Sequence, residues 1–563
     1  MRTLPFLAFA SLLVSVAVAQ EAKHGKPLPQ DRATGASTIK VEDLKGWLTT
    51  LTSEEFGGRG TGTEGFRRAA TFVAEHFKSL GFEPYGDKQE DGTRSYWQSL
   101  SWSATKPKPD ATWLKFTKGE QELAVLTAGE GLAGRAGSDT KAHGKAVLVN
   151  VTPGDEKLLA ELGLKDKFVF VNVRAPKVEA KPAEAGGRRQ PRGGRGARGQ
   201  AALIRTELAK CEPAGIVFVD DAQYGAAKTI EGSFTPGAST GVNPAVRGGT
   251  RAPVTLYTDK KHLAPILQAA GKSEKAFDSN EAAIALGSIE AKLQVETENG
   301  EAPAYNVVAV LPGSDPKLKD EFVVIGSHLD HLGRPDGVIR PGADDDGSGS
   351  TGVLAVSRAF AKNPIKPRRS ILFVTFCGEE MGLLGSSFFA RNPPIPLASI
   401  VSELQMDMIG RDEEESVEGN AGEKAEDNRN SLHLIGTKKM SMDLHELCLA
   451  ANTKHAGFDL EWDEEGMFSR SDHANFARKG VPVAFFFTGL HHDYHATTDT
   501  VDRINFPKLG RVATYVYDIA FTLAQQDPRP LIDKELWDKS RKGLGGPEQP
   551  AAPVRGAKSE GDK

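Results

Sequence analysis

The chain has 563 residues, of which 39% are hydrophobic and 26% charged, and its formal net charge is −5. This composition excludes a wholly disordered or collagen-like chain, and the length predicts more than one domain. The lack of a basic excess argues against nucleic acid or an anionic membrane surface as a partner. Three cysteines are too few for a disulfide framework.

The first 19 residues have the pattern of a secretory signal peptide. Arg2 precedes an almost wholly apolar run over residues 4–18, and Ala17-Val18-Ala19 has the small-x-small form of a cleavage site. The apolar run is shorter than the roughly 20 residues of a membrane span, so an uncleaved anchor is the less favoured alternative. We therefore expect a secreted or periplasmic protein without stable membrane insertion, whose polar residues 20–38 form a linker.

The next segment, residues 39–109, is predicted to begin the main domain. Its clearest element is a helix over Thr63–Leu80, where apolar residues recur every three or four positions. Gly81 follows directly, as is typical of a residue that ends a helix.

Residues 110–295 have a different texture and are predicted to form a separate α+β or β-rich module. Short β-rich runs occupy 145–151, 168–173, 215–220 and 253–257, and a helical stretch over 201–211 precedes the third. Within this module, residues 181–200 are rich in Arg and Gly and are predicted to be a solvated surface loop. A polyanion contact is the alternative, but no aromatic residues are interleaved with the arginines.

From residue 296 to 527 strands alternate with helices. Apolar runs typical of buried strands are Glu321–Ser327, Ser370–Phe376, Ile400–Met406 and Val481–Phe487, and helical patterns cover 347–362 and 382–391. This alternation predicts an α/β fold with a mixed, largely parallel sheet flanked by helices on both faces. Residues 528–563 are rich in Pro, Gly and Lys and are predicted to be a mostly disordered tail.

Chemically active side chains follow these predicted strands or precede a helix. They are His328, Asp345, Glu379, Glu380, Asp407 and His495. Each alone could be a capping or surface residue, but the carboxyl edge of an open α/β sheet is where sites are built. Imidazoles and carboxylates are zinc ligands, and several carboxylates with few histidines suit a pair of ions.

The same segments resemble a known family. The similar stretches are LTSEEFGGRGTGTEGFRRAA (51–70), GSHLDHLG (326–333), GADDDGSGS (342–350), FCGEEMGLLGS (376–386), QMDMIG (405–410), SDHANFARKGVP (471–482) and DYHATTDT (493–500). In these the chain resembles the di-zinc aminopeptidase family that includes glutamate carboxypeptidase and the transferrin receptor. Residues 110–295 resemble, more loosely, the protease-associated domain inserted in some members. The resemblance implies the zinc exopeptidase fold.

The resemblance also implies a role for each matched residue and two Zn²⁺ ions per chain. Asp345 would bridge the ions, His328 and Asp407 would complete one ligand set, and Glu380 and His495 would complete the other. Glu379 is the expected general base, Tyr494 a candidate for oxyanion stabilisation, and Asp330 a candidate acceptor for the second ring nitrogen of His328. The other nearby histidines, expected to lie outside the ligand sets, are His331, His473, His491 and His492.

The favoured interpretation is a secreted di-zinc exopeptidase, and specifically an aminopeptidase acting on peptides. A carboxypeptidase or dipeptidase on the same scaffold stays open, with Arg411 and Arg470 as candidate carboxylate clamps. A receptor-like ectodomain without catalysis should have lost ligands, and glutaminyl cyclisation at a single zinc does not need the two-ion set. Side-chain preference and oligomeric state are not predicted.

Overall fold

A computed structural model describes residues 26–136, 138–152, 156–174, 204–221, 230–231, 233–236, 255–334, 338–414 and 426–555. The predicted signal peptide and the Arg/Gly-rich segment 181–200 lie outside these residues. Within the described ranges, no helix is long and apolar enough to cross a membrane. The chain divides into two compact units, one formed by Met1–Leu100, Pro303–Gly333 and Arg340–Lys563, and one formed by Ser101–Ala302 with Arg334–Ile339.

The first unit is built on a nine-stranded mixed sheet. The strands of this sheet are β1 (Glu83–Pro84), β2 (Trp97–Ser99), β3 (Tyr305–Leu311), β4 (Phe322–His328), β5 (Ser370–Phe376), β6 (Ile400–Met406), β7 (Ser431–Ile435), β8 (Asp459–Glu461) and β9 (Val483–Phe487). Two further strands, β10 (Ile532–Asp533) and β11 (Val554–Arg555), pair with each other in a separate two-stranded sheet. The order across the sheet is β1-β3-β5-β4-β6-β9-β7-β8, and β2 also pairs with β3.

Ten α-helices of this unit lie in the described residues. They are α1 (Gln30–Ala36), α2 (Val41–Leu51), α3 (Glu64–Ser79), α4 (Gly349–Lys362), α5 (Leu384–Arg391), α6 (Thr437–Met440), α7 (Met442–Ala451), α8 (His473–Ala477), α9 (Phe506–Gln525) and α10 (Lys534–Leu544). The helix predicted over Thr63–Leu80 is α3, and the side chain of Thr63 caps it by accepting a hydrogen bond from the Phe66 amide.

The four predicted apolar strands form the centre of the sheet. Strand β4 is parallel to β5 and β6, and β6 is parallel to β9, whereas the outer strands β3 and β7 run antiparallel to their inner neighbours. All seven residues of β4, β5 and β6 are buried, as expected for strands covered on both faces. The predicted mixed α/β fold is confirmed.

Successive side chains of β5 contact helices on different faces of the sheet. The ring of Phe373 lies against Phe77 of α3 and Phe360 of α4. The neighbouring Leu372 and Val374 belong instead to a cluster that includes Phe389 of α5. Since successive strand residues point to opposite faces, helices cover both faces of the sheet.

Two parts of the chain predicted to lack structure are folded. Residues 30–36, inside the predicted linker 20–38, form α1, because Arg32 donates to Asp518 and Thr522 of α9 and the Gly35 amide donates to Asn363. The predicted disordered tail 528–563 is wrong for the described residues up to 555. There β10, α10 and β11 form, and the side chain of Trp537 is fully buried in the core.

The second unit contains its own sheets and core. Its described strands are Trp102–Pro107, Trp113–Lys118, Gln121–Ala128, Gly131–Arg135, Thr140–Val151, Lys167–Val173, Gly215–Val219, Ile230–Glu231, Ser233–Pro236, Thr255–Thr258, Ala283–Val295 and Thr297–Glu301, with helices over 204–210 and Lys260–Ala269. Nine of these strands form one mixed sheet and three form another. The predicted module 110–295 lies inside this unit, which extends further at both ends.

Candidate metal centre

The predicted site residues meet at the carboxyl ends of the central strands. His328 is the last residue of β4, Asp407 follows β6 directly, and Glu379 and Glu380 lie just beyond β5. In the sheet, His328 is the partner of Phe376, the last residue of β5. Because the three strands are parallel neighbours, their ends bring these side chains to one edge.

The three consecutive aspartates before α4 point to different partners. Asp344 accepts a hydrogen bond from the Gly410 amide at 2.7 Å, and Asp346 accepts from the Gly349 amide at 2.8 Å and the His328 amide at 3.1 Å. Asp345 is the one whose carboxylate faces the predicted ligands His328 and His495.

One group of possible ligands consists of His328, Asp345 and Asp407. The Nε2 atom of His328 lies 3.3 Å from Oδ1 of Asp345 and 3.5 Å from Oδ1 of Asp407. Zinc bonds of about 2.0–2.1 Å in a tetrahedral site imply ligand atoms about 3.3 Å apart, so the spacing fits one zinc ion. The Nδ1 atom of His328 donates to the carbonyl oxygen of Asp330 at 2.9 Å, which leaves Nε2 facing the carboxylates.

The second group of possible ligands surrounds Oδ2, the other carboxylate oxygen of Asp345. The Nε2 atom of His495 is 3.1 Å from both Oδ2 of Asp345 and Oε2 of Glu380. His331, which sequence reasoning had left outside the ligand sets, contacts the same two carboxylates, with Nδ1 at 2.7 Å from Oε1 of Glu380 and 3.6 Å from Oδ2 of Asp345. Its side chain is fully buried, whereas that of His495 is 36% exposed.

The signal for His331 was present in the sequence. It stands three residues after His328 in the stretch HLDH, but a histidine beyond the end of a strand has no fixed direction until the loop is known. Here the loop is held by Arg59, whose buried guanidinium donates to the carbonyl oxygens of Leu329 and Gly342. Arg59 and Asp499, which accepts from the amides of Asp344 and Asp345, are positioning residues that the sequence did not single out.

The residues present fit a pair of zinc ions. Oδ2 of Asp345, Oε1 of Glu380 and both ring nitrogens of His331 are buried without a hydrogen bond of good geometry. Buried polar atoms in that condition are costly unless a partner satisfies them. A cation in each group would satisfy them with the ligand types that zinc prefers.

Glu379 lies beside these groups, with Oε2 at 4.0 Å from Nε2 of His328. Burial raises the pKa of Glu379 well above its usual range, and the charges of Glu380 and Asp407 act in the same direction. The Glu379 amide donates to Oδ1 of Asp330 at 3.1 Å. The predicted contact of Asp330 is therefore corrected: its carbonyl, not its carboxylate, accepts from His328, and the carboxylate, 3.9 Å away, holds the Glu379 backbone.

Tyr494 stacks on His495, with ring centroids 3.8 Å apart. Burial raises the pKa of its hydroxyl, so Tyr494 stays protonated at neutral pH. Tyr494 also lines a cavity beside these groups. His328, Asp345, Glu379 and Asp407 line the same cavity.

The cavity is also lined by five apolar residues, here called the apolar wall. The wall is formed by Met408, Met467, Phe485, Phe487 and Leu490, and Arg470 also lines the cavity. Arg411, the other candidate carboxylate clamp, is buried in ion pairs with Glu414 and Asp493. Of the remaining histidines, His473 is buried against Phe485 and His491 contacts Asp344.

Comparisons with known proteins give a family for this part of the chain. Residues 306–520 match the model of peptidase family M28, which confirms the family resemblance. The chain is 28% identical over 259 residues to leupeptin-inactivating enzyme 1 of Streptomyces exfoliatus, covering 42% of this chain and 52% of that protein. It is 30% identical over 237 residues to leucine aminopeptidase 1 of Penicillium rubens, covering 38% and 56%. The chain thus spans about half the length of the curated relatives it matches.

Two solved structures that match this chain are more distant in sequence. An aminopeptidase from Aneurinibacillus sp. strain AM-1 is 19% identical, with 88% of this chain and 96% of that chain covered and a TM-score of 0.43. A zinc aminopeptidase from Bacillus subtilis is 16% identical, with 87% and 96% covered and a TM-score of 0.46.

Proposed function

Because residues 306–520 match the model of peptidase family M28, we propose that the chain is a secreted di-zinc aminopeptidase that removes N-terminal residues from peptides. The observation that carries the proposal is the convergence of two ligand groups on the two oxygens of Asp345, with Glu379 beside them. His328 and Asp407 complete one group, and Glu380 with His495 and the adjacent His331 completes the other.

Different residues of the chain have different roles in peptide hydrolysis. Zinc, when bound, supplies Lewis acidity that lowers the pKa of water and polarises a carbonyl group. Glu379 takes the proton of the attacking water and delivers it to the departing amine, because its carboxylate lies beside the two ligand groups. The protonated hydroxyl of Tyr494 donates a hydrogen bond to the oxyanion of the tetrahedral intermediate.

The charge of the cavity supports an aminopeptidase over a carboxypeptidase. Glu379 lines it outside the two ligand groups, and its carboxylate favours an ammonium group at the end of the substrate. A carboxypeptidase needs an arginine for the terminal carboxylate. Arg411 is engaged with Glu414 and Asp493, so Arg470 is the candidate that a carboxypeptidase would use.

The apolar wall supports a preference for large apolar N-terminal residues. Two methionines, two phenylalanines and Leu490 form this wall, and burying a leucine side chain against such a surface is worth about 1.5–3 kcal/mol. The two curated relatives above are named a leupeptin-inactivating enzyme and a leucine aminopeptidase, which is compatible with this preference.

The test compares leucine p-nitroanilide with its N-acetyl form on the zinc-loaded protein. We expect acetylation to lower kcat/KM at least about tenfold, which corresponds to the loss of about 1.4 kcal/mol of binding. Peptides with a free N-terminus should be cleaved whether or not their C-terminus is amidated. The carboxypeptidase would be favoured instead by three results together. Acetylation would not affect cleavage, cleavage would require a free C-terminal carboxylate, and Arg470→Met would abolish it.

A further inference from the structure

A second group of buried polar side chains lies on strand β6 and just before α8. Glu403 and Gln405 stand four and two residues before Asp407 on β6, and Asp472 directly precedes α8. All three side chains are fully buried. We call Glu403, Gln405 and Asp472 the Glu–Gln–Asp cluster, and none of them belongs to the ligand groups around Asp345.

The side chains of Glu403 and Gln405 point to the same face of the sheet, because alternate residues of a strand share a face. Their partners on β4 are Val324 and Gly326. A Cβ atom added at Gly326 would lie 2.7 Å from Oε1 of Gln405 and 2.9 Å from Oε1 of Glu403. Both oxygens therefore turn toward the space beside this glycine.

Five oxygen atoms of the cluster accept no hydrogen bond of good geometry from the described residues. They are both carboxylate oxygens of Glu403, both carboxylate oxygens of Asp472, and Oε1 of Gln405. The Ser386 hydroxyl approaches Asp472, but it donates to the carbonyl oxygen of Leu383 at 3.3 Å. Buried oxygens without donors are costly, so the cluster needs a partner that the described residues do not supply.

The amide of Gln405 has a defined direction. Its Nε2 atom donates to Oγ of Ser471 at 3.3 Å, which leaves Oε1 on the side of Glu403 and Gly326. Asp472 stands where an aspartate usually caps a helix, yet its side chain makes no capping hydrogen bond to α8. A neutral amide oxygen and a carboxylate not used for capping thus both await a ligand that oxygen atoms bind.

The surroundings of Glu403 make a cation a better partner than a proton. Its neighbours on the flanking strands, Val324 and Val483, are apolar. Burial raises the pKa of Glu403 well above its usual range, and the charge of Asp472 acts in the same direction. One proton shared between two carboxyl groups serves two oxygens, whereas one cation is bound by several oxygens at once.

We propose that Glu403, Gln405 and Asp472 bind a calcium ion behind the candidate centre. Calcium takes about six to eight oxygen ligands from carboxylates, side-chain amides and water, and two carboxylates match its charge. Zinc prefers imidazole or thiolate ligands, which these three residues do not offer, and magnesium keeps several of its waters. The ion would tie β6, which leads into Asp407, to the segment that leads into α8.

The test measures the calcium bound to the zinc-loaded full chain after equilibrium dialysis against calcium chloride, by plasma mass spectrometry. Glu403→Gln is the main variant, because it keeps the size of the side chain and removes its charge, and Asp472→Asn is the second. We expect each variant to bind one calcium ion fewer per chain than the wild type. Calcium should also raise the Tm of the wild type more than that of either variant, because a ligand that binds only the folded state stabilises it.

The matched control is Glu321→Gln. The Glu321 side chain is 28% exposed, and its carboxylate already pairs with Arg369 and Arg529, so calcium binding and the rise in Tm should stay at wild-type values.

Equal calcium binding by the wild type, Glu403→Gln and Asp472→Asn would overturn the proposal. A wild-type Tm that calcium does not change would also overturn it and would favour carboxyl groups that share a proton. Both readouts compare variants at constant zinc content and do not use peptidase activity, so failure of the proposed function is a separate result.

Discussion

Asp344, Asp345 and Asp346 illustrate how neighbouring identical side chains acquire different roles. The amides of Asp344 and Asp345 donate to Asp499, which fixes the loop before α4. Within that loop the carboxylates of Asp344 and Asp346 accept hydrogen bonds from backbone amides. Only Asp345 turns both oxygens toward imidazoles of the two ligand groups.

This difference gives a prediction for the two ligand groups around Asp345. Asp345→Asn should lower the zinc content of both groups, because one carboxylate serves both, whereas Asp344→Asn should leave it nearly unchanged. Zinc per chain, measured after dialysis, checks the pair of variants. A larger loss of zinc in Asp344→Asn would assign the bridge to that residue instead.

Glu379 gives the second prediction at this scale. Glu379→Gln keeps the size of the side chain but removes the base, so kcat should fall about 10²–10⁴-fold. Zinc content and Tm should stay at wild-type values, since no ligand is removed. Turnover similar to the wild type at unchanged zinc content would exclude Glu379 as the general base.

At the scale of elements, the spacing of apolar residues was enough to predict α3 but not to predict α1 or α10. The six buried apolar residues of α3 recur at helical spacing, and Thr63 caps its start. Helix α1 has a single buried residue, Gly35, and α10 has only Trp537. Such short polar helices form because of tertiary contacts, which a composition of Lys, Gly and Pro does not reveal.

The contact that holds α1 can be tested. Arg32→Ala removes the partner of Asp518, whose side chain is 2% exposed, and should lower the free energy of unfolding by about 1–3 kcal/mol. Urea denaturation checks the change. Arg67→Ala is the control, because the Arg67–Glu64 pair is exposed and its loss should not be measurable. Equal stability of Arg32→Ala and wild type would mean that α1 contributes little to the fold.

At the scale of the whole molecule, the chain leaves the first unit and returns to it at adjacent points. Ser99 of β2 and Tyr305 of β3 are partners in the sheet. The residues between them, from Ser101 to Ala302, make up most of the second unit. When the two ends of a unit join the sheet at a pair of neighbouring strands, as here at β2 and β3, the unit can be inserted into the chain without disturbing the sheet. Its resemblance to a protease-associated domain stays a prediction.

The pH dependence of global stability is the prediction at this scale. Burial lowers the pKa of His76 to about 4 from 6.5. In the unfolded chain His76 takes up a proton near its ordinary pKa of 6.5, whereas in the folded chain it does so only near pH 4. The free energy of unfolding therefore falls as the pH drops between these two values, by about 3 kcal/mol in all. His76→Gln should lose less stability than the wild type between pH about 7 and about 4.5. His143→Gln, an exposed histidine, is the control and should follow the wild type in urea denaturation.

The sequence by itself determined the central strands, the helix α3 and the family resemblance of residues 306–520, because buried runs, helical periodicity and motifs are local properties of the chain. It also predicted that His328, Glu380, Asp407 and His495 lie at one edge of a sheet, because side chains that follow neighbouring parallel strands meet at the same edge. Tertiary structure alone decided that His331 joins the side chains around Asp345 and that Asp330 holds the Glu379 backbone. It also decided the fold of residues 30–36 and 532–555. Each of these depends on loop direction or on contacts between distant segments, and neither is encoded in the spacing of residues along the chain.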